Sequence, residues 1–343
     1  MNNDIIHIPK GISNIGNTCY FNSCIQIFSR IKPLKKIILD ENINKNEKEI
    51  NVKVWNNFKD IIKLLETTST KRETILPNGL LNSLMVISKY KKKTFLVNKD
   101  EEDITEFISF FIDCLHNCIN NPVEVQISGV SKNSTDNIAI EVYKMLKNVY
   151  EKEYSTIQSL FEGISIYTIN NDKGTHSIST EIFYNLILHI PKKDNKSVDI
   201  YNCIEHKLKA EKMTGDNKWF NDKTNTYMEV SKETKIWKFP EVLLIMLSRF
   251  NYDGSKNEDL VEFYETIDLT KYVEGYKKDS YYDLIGVCNH IQTSFIGHYT
   301  SFFKHDNTWF HSNDEIVQKV EDFKDIISNH AYCLFYIKKN KNL

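Results

Sequence analysis

Near Phe161 the chain changes its hydrophobic rhythm. Upstream, apolar residues recur every three or four positions; downstream they gather in short segments rich in β-branched and aromatic residues. Tyr20, Cys24, Ile27, Phe28 and Ile31 trace one helix as far as Pro33. Residues 54–65, 80–90 and 101–117 trace three more, the last with Ile104, Phe107, Ile108 and Phe111 on one face, and 140–152 a fifth. Residues 41–51 and 120–137 are rich in Asn and other polar groups and read as loops. Beyond Phe161, residues 163–169, 181–190, 227–239, 242–250, 281–290, 298–303, 308–311 and 331–337 read as strands. A helical block followed by a mainly antiparallel one predicts an α+β protein, with its active site where the two blocks meet. No internal repeat or long flexible linker divides the chain, which predicts a single domain.

Composition removes several function classes. Acidic and basic residues nearly cancel, leaving a formal charge of −2, so no overall field favours nucleic acid or an anionic membrane. The longest apolar run, Val242-Leu243-Leu244-Ile245-Met246-Leu247, is far short of the ~20 residues that cross a bilayer, and Asp4 interrupts a start that lacks a signal-peptide core. Seven cysteines without framework spacing argue for a reducing compartment. The expectation is an intracellular monomer, cytoplasmic or nuclear. Cys114 and Cys118 could pair at helical spacing, but a metal would need two more soft ligands and His116 projects from another face. The sequon Asn133-Ser134-Thr135 carries no meaning in a protein that never enters the secretory route.

The chemistry centres on Asn14-Ile15-Gly16-Asn17-Thr18-Cys19-Tyr20-Phe21-Asn22-Ser23, which sets Cys19 where a Gly-containing turn becomes a helix. An arbitrary cysteine is more often a small buried hydrophobe. At a helix N-terminus, however, unpaired N–H groups and the helix dipole favour the thiolate, lowering thiol pKa values from about 8.5 to as little as ~3.5–7.5. A thiolate nucleophile needs an imidazole to move the proton and a polar group to orient the ring. His298 is the candidate base, with His290 a nearby competitor; Asn313 is the preferred orienting partner, with Asp314 a second polar group beside it. The oxyanion formed on attack needs donors, and the Cys19 backbone N–H with the Asn14 side chain can supply them, Asn17 being the rival. The order Cys, His, Asn is that of papain-like proteases, but His298 follows Cys19 by about 280 residues, against ~130–150 in papain and the cathepsins. Something large is inserted.

The segment from Gly11 to Gln26 resembles the cysteine box of the ubiquitin-specific proteases, and Gly297-His298-Tyr299 through Val317 resembles their histidine box. Between them, Glu101-Glu102-Asp103-Ile104-Thr105-Glu106-Phe107 is similar to the family's Gln-Gln-Asp-Ala-x-Glu-Phe segment, and Leu247-Ser248-Arg249-Phe250 to its Leu-x-Arg-Phe strand. Tyr282 to His290 and Ala331 to Tyr336 resemble its late strands, so the likeness runs over residues 11–338 in family order. The resemblance implies a papain-like fold with a helical thumb over about 11–155, β fingers over about 160–240, and an antiparallel β palm from about 180–190 and 240–338. It implies Cys19 as nucleophile, His298 as base, Asn313 as third member and Asn14 as oxyanion donor. Asp103 would touch the ubiquitin tail, with Tyr299 and Asp314 also beside the substrate. The reaction implied is hydrolysis of the bond after ubiquitin's terminal glycine, with ubiquitin and ubiquitinated proteins as partners and no cofactor. Two rivals remain: a protease for another ubiquitin-like modifier, and a module that binds without turnover.

Two departures stand out. Many members of that family carry a zinc site built from paired Cys-x-x-Cys knuckles, whereas Asn170, Lys173, Asn221 and Thr224 occupy the corresponding positions here. Without thiolates no such zinc is expected, and packing through Trp219, Phe220 and Tyr227 is the expected substitute. The other departure is Glu101-Glu102 in place of paired glutamines.

Overall fold

The structure is a computed structural model and describes residues 7–41, 43, 48–93, 96, 102–192, 197–292 and 297–339. Glu101 lies outside these residues.

Eight helices are present among them: α1 Cys19–Phe28, α2 Lys32–Asp40, α3 Glu49–Glu66, α4 Asn78–Tyr90, α5 Ile104–Ile119, α6 Ser134–Tyr150, α7 Thr156–Phe161 and α8 Ile200–Leu208. Two sheets dominate the rest. The larger has eight strands, running 316–319, 308–313, 297–305, 281–292, 331–338, 242–248 and 186–189, with 266–268 added on the flank of 281–292. All its pairings are antiparallel except that of 242–248 with 186–189. The smaller sheet orders strands 174–183, 163–171, 230–238 and 211–213, beside a separate hairpin of 219–221 with 226–228. The expected papain-like α+β arrangement of helices, β palm and β fingers is the one observed.

The large sheet is covered on both faces, which explains the apolar run at 242–247. Strand residues alternate sides, so Val242, Leu244 and Met246 join an apolar cluster with α1, α3 and α5, while Leu243, Ile245 and Leu247 join a second cluster with α8. A strand buried on both faces reads as continuous hydrophobicity. Every residue of α1 is buried, as befits a helix wedged between the sheet and α5. Phe28, Phe58, Phe107, Phe111 and Phe161 interlock around it with ring centroids 5.0–5.9 Å apart. Arg249 is completely buried. Its guanidinium donates to the carbonyls of Ala331 (2.7 Å), Asn257 (3.0 Å) and Asp259 (2.9 Å), fastening the chain that follows strand 242–248 to the sheet.

Some elements differ from the expectation. Pro33 does not merely end a helix; it occupies the first turn of α2, where its missing N–H costs nothing. The short helix α7 follows an N-capping Ser155, and α8 a capping box between Asp199 and Asn202. The stretch 181–190 belongs to two strands in different sheets, 174–183 and 186–189. Strand 174–183 lacks a buried face, so its sequence carries no alternation to reveal it.

Candidate active site

Cys19 is the first residue of α1 and is 4% exposed. The turn before it holds Gly16 at φ 109° and Asn17 at φ 49°, left-handed values that suit these residues. Asn14 organises that turn: its side-chain oxygen accepts from the N–H of Gly16 (3.1 Å), the N–H of Thr18 (3.2 Å) and the Thr18 hydroxyl (3.2 Å). The backbone is thereby bent so that α1 starts at the sulfur.

His298 lies on strand 297–305, which packs against α1. Its Nε2 is 2.8 Å from Asn313 Oδ1, and its ring also hydrogen-bonds Cys19. The Cys19 bond first, then the Asn313 bond and the nearby Asp314 charge, raise the imidazole pKa to about 9 against the opposing effect of burial. Cys19, His298 and Asn313 thus form one hydrogen-bonded chain, although His298 and Asn313 are far from Cys19 in sequence. Asn313 ends strand 308–313, the antiparallel neighbour of 297–305, and the hairpin brings it back to the imidazole.

Asp314, at φ 49°, turns the chain there and performs a different task. Its two carboxylate oxygens accept from Asn14 Nδ2 (2.9 Å) and Asn22 Nδ2 (2.7 Å), and its carbonyl accepts from the N–H of Ile12 (3.0 Å). Glu315 adds a bond from the Asn14 N–H to its carboxylate (2.8 Å). Gly11 is needed for this approach, since a Cβ there would stand 2.3 Å from the Glu315 carbonyl oxygen. The turn after Asn313 therefore clamps the segment that presents Cys19. Asn22, one helical turn beyond Cys19 on the same face, escaped sequence reasoning; its i+3 spacing from Cys19 was the available signal.

Asp103 and Tyr299 contact each other's neighbours rather than Cys19. Asp103 caps α5, accepting from the Thr105 N–H (2.6 Å), and its other oxygen accepts from the Tyr332 hydroxyl (2.9 Å). The Tyr299 hydroxyl accepts from the Ile104 N–H (3.4 Å), and its ring lies 4.7 Å from that of His290. His290, the rival base, is buried among Phe250, Tyr299 and Tyr332, and burial, helped by Lys256, pushes its pKa down to about 4. It is held neutral in an aromatic cluster. Asn17, the rival oxyanion donor, is exposed in the turn.

No group of three or more metal-ligating side chains occurs among the described residues. Cys118 donates to the carbonyls of Cys114 (3.2 Å) and Asn51 (3.3 Å), while His116 Nδ1 turns to Ser155 Oγ (2.8 Å). At the fingertips, asparagines close each hairpin: Asn171 Oδ1 accepts from the Lys173 N–H (2.9 Å) and Asn221 Oδ1 from the Lys223 N–H (3.0 Å). Rings supplement these bonds, Phe220 with Tyr227 at 5.0 Å and His176 with Trp219 at 6.1 Å.

The model of the ubiquitin carboxyl-terminal hydrolase family matches residues 10–336. Among similar proteins, ubiquitin carboxyl-terminal hydrolase Usp2 of Drosophila melanogaster is 26% identical over 333 residues, covering 95% of this chain and 34% of that protein. Ubiquitin carboxyl-terminal hydrolase 2 of Bos taurus is 26% identical over 340 residues, covering 95% of this chain and 54% of the relative. The chain thus spans about a third to about half the length of these relatives. Two solved structures of the SAGA DUB module containing Ubp8, one bound to monoubiquitin and one to ubiquitin aldehyde, each match with a TM-score of 0.71 at 22% identity, covering 97% of this chain and 70% of theirs. Since the family match spans nearly the whole chain, it belongs to the ubiquitin carboxyl-terminal hydrolase family.

Proposed function

We propose that this chain is a cysteine-dependent deubiquitinase that hydrolyses the isopeptide or peptide bond after the C-terminal glycine of ubiquitin. The observation that carries the reading is the hydrogen-bonded chain from Cys19 through His298 to Asn313. The Cys19 thiol passes its proton to His298 and its sulfur attacks the glycine carbonyl carbon, the oxyanion being received by the Cys19 backbone N–H and the Asn14 side-chain amide. His298 gives its proton to the departing amine, leaving a thioester. It then takes a proton from water, which attacks the thioester, and the thiol and ubiquitin carboxylate are released. Asn313 holds the ring in the tautomer that this sequence requires. Asp314 acts on Asn14 rather than on the substrate, keeping the donor aimed at the oxyanion.

Ubiquitin as substrate is supported by the names of the relatives and by the two neighbours solved with ubiquitin or its aldehyde. We assign Asp103 and Tyr299 to the substrate channel through the start of α5, which they fix in place. Residues 11–338 form one catalytic domain in this reading. Seven buried cysteines that form no disulfide support an intracellular setting, and no helix among the described residues is long and apolar enough to cross a membrane.

The test is incubation with ubiquitin bearing a thiol-reactive electrophile at its C-terminus. Wild type should form a covalent adduct and Cys19→Ala should not. Reaction with only a ubiquitin-like modifier would change the substrate assignment, and binding without an adduct would reject the enzyme reading.

A further inference from the structure

Past the C-terminal end of α1, about 15 Å along the helix from Cys19, positive charge collects around a cavity that the catalytic groups do not use. Its volume is about 420 Å³, and Arg30, Lys32, Lys304, Lys338 and Lys339 line it against only Asp283 and Asp306. Five cations facing two carboxylates are unexpected in a chain with a formal charge of −2. A smaller recess of about 100 Å³ shares Arg30, Lys32, Lys304 and Asp306 with it.

Arg30 is the unusual member. One face of its guanidinium lies 3.8 Å from the centre of the Phe303 ring. Its Nη1 donates to the Gln26 carbonyl (2.5 Å), Gln26 Oε1 (2.7 Å) and Ser29 Oγ (3.0 Å), and Nη2 reaches the Leu65 carbonyl at 3.5 Å. All are neutral acceptors, and buried Nε has no hydrogen-bond partner. Burial pulls the pKa down to about 9, opposed by Glu66, which is itself engaged by Lys35. A half-buried cation without its own carboxylate carries a desolvation cost that is only partly compensated. Two of the lysines are already matched, Lys304 with Glu265 (3.3 Å) and Lys339 with Asp283 (2.9 Å). Lys32 and Lys338 make no ion-pair contact among the described residues, and Glu241 and Asp279 act on Lys338 only from a distance. Capping of α1 accounts for the bonds from Arg30 to Gln26 and Ser29, but not for the lysines around the same opening.

We propose that this cleft is an anion site, separate from the catalytic groups, that takes a small ligand carrying two or more phosphate groups. Its volume falls within the ~300–1,000 Å³ of ordinary small-molecule pockets. Phosphate groups carrying about −1.5 to −2 each match the cationic excess of the lining. Arginine supplies a planar fork and lysine mobile point charges, the combination that grips phosphate oxygens.

The test uses the full chain with inorganic tripolyphosphate as probe and titration calorimetry as readout. Wild type should bind at one site, and Lys32→Ala/Lys338→Ala, which leaves Arg30 and the core intact, should weaken binding by about tenfold or more. A control pair on the exposed face of α3, Lys53→Ala/Lys63→Ala, should bind as wild type does. Three results would overturn the proposal: no binding at millimolar probe, equal weakening by the control pair, or tighter binding of hexaglutamate than of tripolyphosphate.

Discussion

The imidazole of His298 and that of His290 lie on neighbouring strands yet are driven to opposite charge states. Hydrogen bonds to Cys19 and then Asn313 raise His298 to about 9; burial lowers His290 to about 4. Against an unfolded value near 6.5, the stability contributed by protonated His298 is complete below about pH 6.5 and is lost as pH rises to about 9. His298→Ala should therefore flatten the fall in stability between those limits, measured by urea unfolding; an unchanged slope would contradict the assignment. His290 has the reverse sign. The unfolded chain accepts its proton as pH falls from 6.5 to 4 while the fold resists, so His290→Leu should reduce acid destabilisation in that window. At Asn14, the proposed oxyanion donor, Asn14→Ala should slow turnover by about 10²-fold. Asp314→Ala should slow it at least as much, because it releases both Asn14 and Asn22; a smaller loss would place the clamp elsewhere. Cys19, His298 and Asn313 were legible in sequence because each carries its chemistry within a local pattern. Asn22 was not, because its task exists only once Asp314 arrives from the other end of the chain.

Elements followed the same division between local and distant information. α3, α4 and α5 bury one face each and announce themselves by period; α7 and α8 are too short to show one and depend on their caps. Strand 174–183 pairs with 163–171 and packs only the half-buried Ile178 and Phe183 against apolar clusters, leaving no alternating pattern to read. Two element-scale outcomes follow from the contacts. Gly11→Ala should destabilise the protein by about 1–3 kcal/mol and lower activity, since its Cβ would strike the Glu315 backbone and loosen the clamp on Asn14. Wild-type stability and turnover in that variant would show that the two segments need not touch. The fingertip hairpins, closed by Asn171 and Asn221 side chains, should be indifferent to metal. A chelator that lowered the melting temperature would reveal a metal where the sequence offers no thiolates.

At the scale of the whole molecule, the covered sheet joins distant parts of the chain. One apolar cluster ties α1, α3 and α5 to one face, a second ties α8 to the other, and strand 242–248 contributes alternate residues to both. This arrangement supports α1 so that Cys19 meets a histidine and an asparagine from the far end of the chain. The fold class was legible because the change of rhythm near Phe161 separates helices from strands. A hairpin returning Asn313 to His298 was legible too, but its exact register was not, since it is set by the two-residue turn at Asp306 and Asn307, both at positive φ. In the proposed mechanism Asn313 works through His298 on Cys19 as a single unit. That coupling is tested most directly by kcat/KM for a fluorogenic ubiquitin C-terminal amide in wild type, His298→Ala, Asn313→Ala and the double variant. Groups acting as a unit lose activity non-additively, so the double variant should be no slower than His298→Ala alone; losses that multiply would show that the two residues act independently.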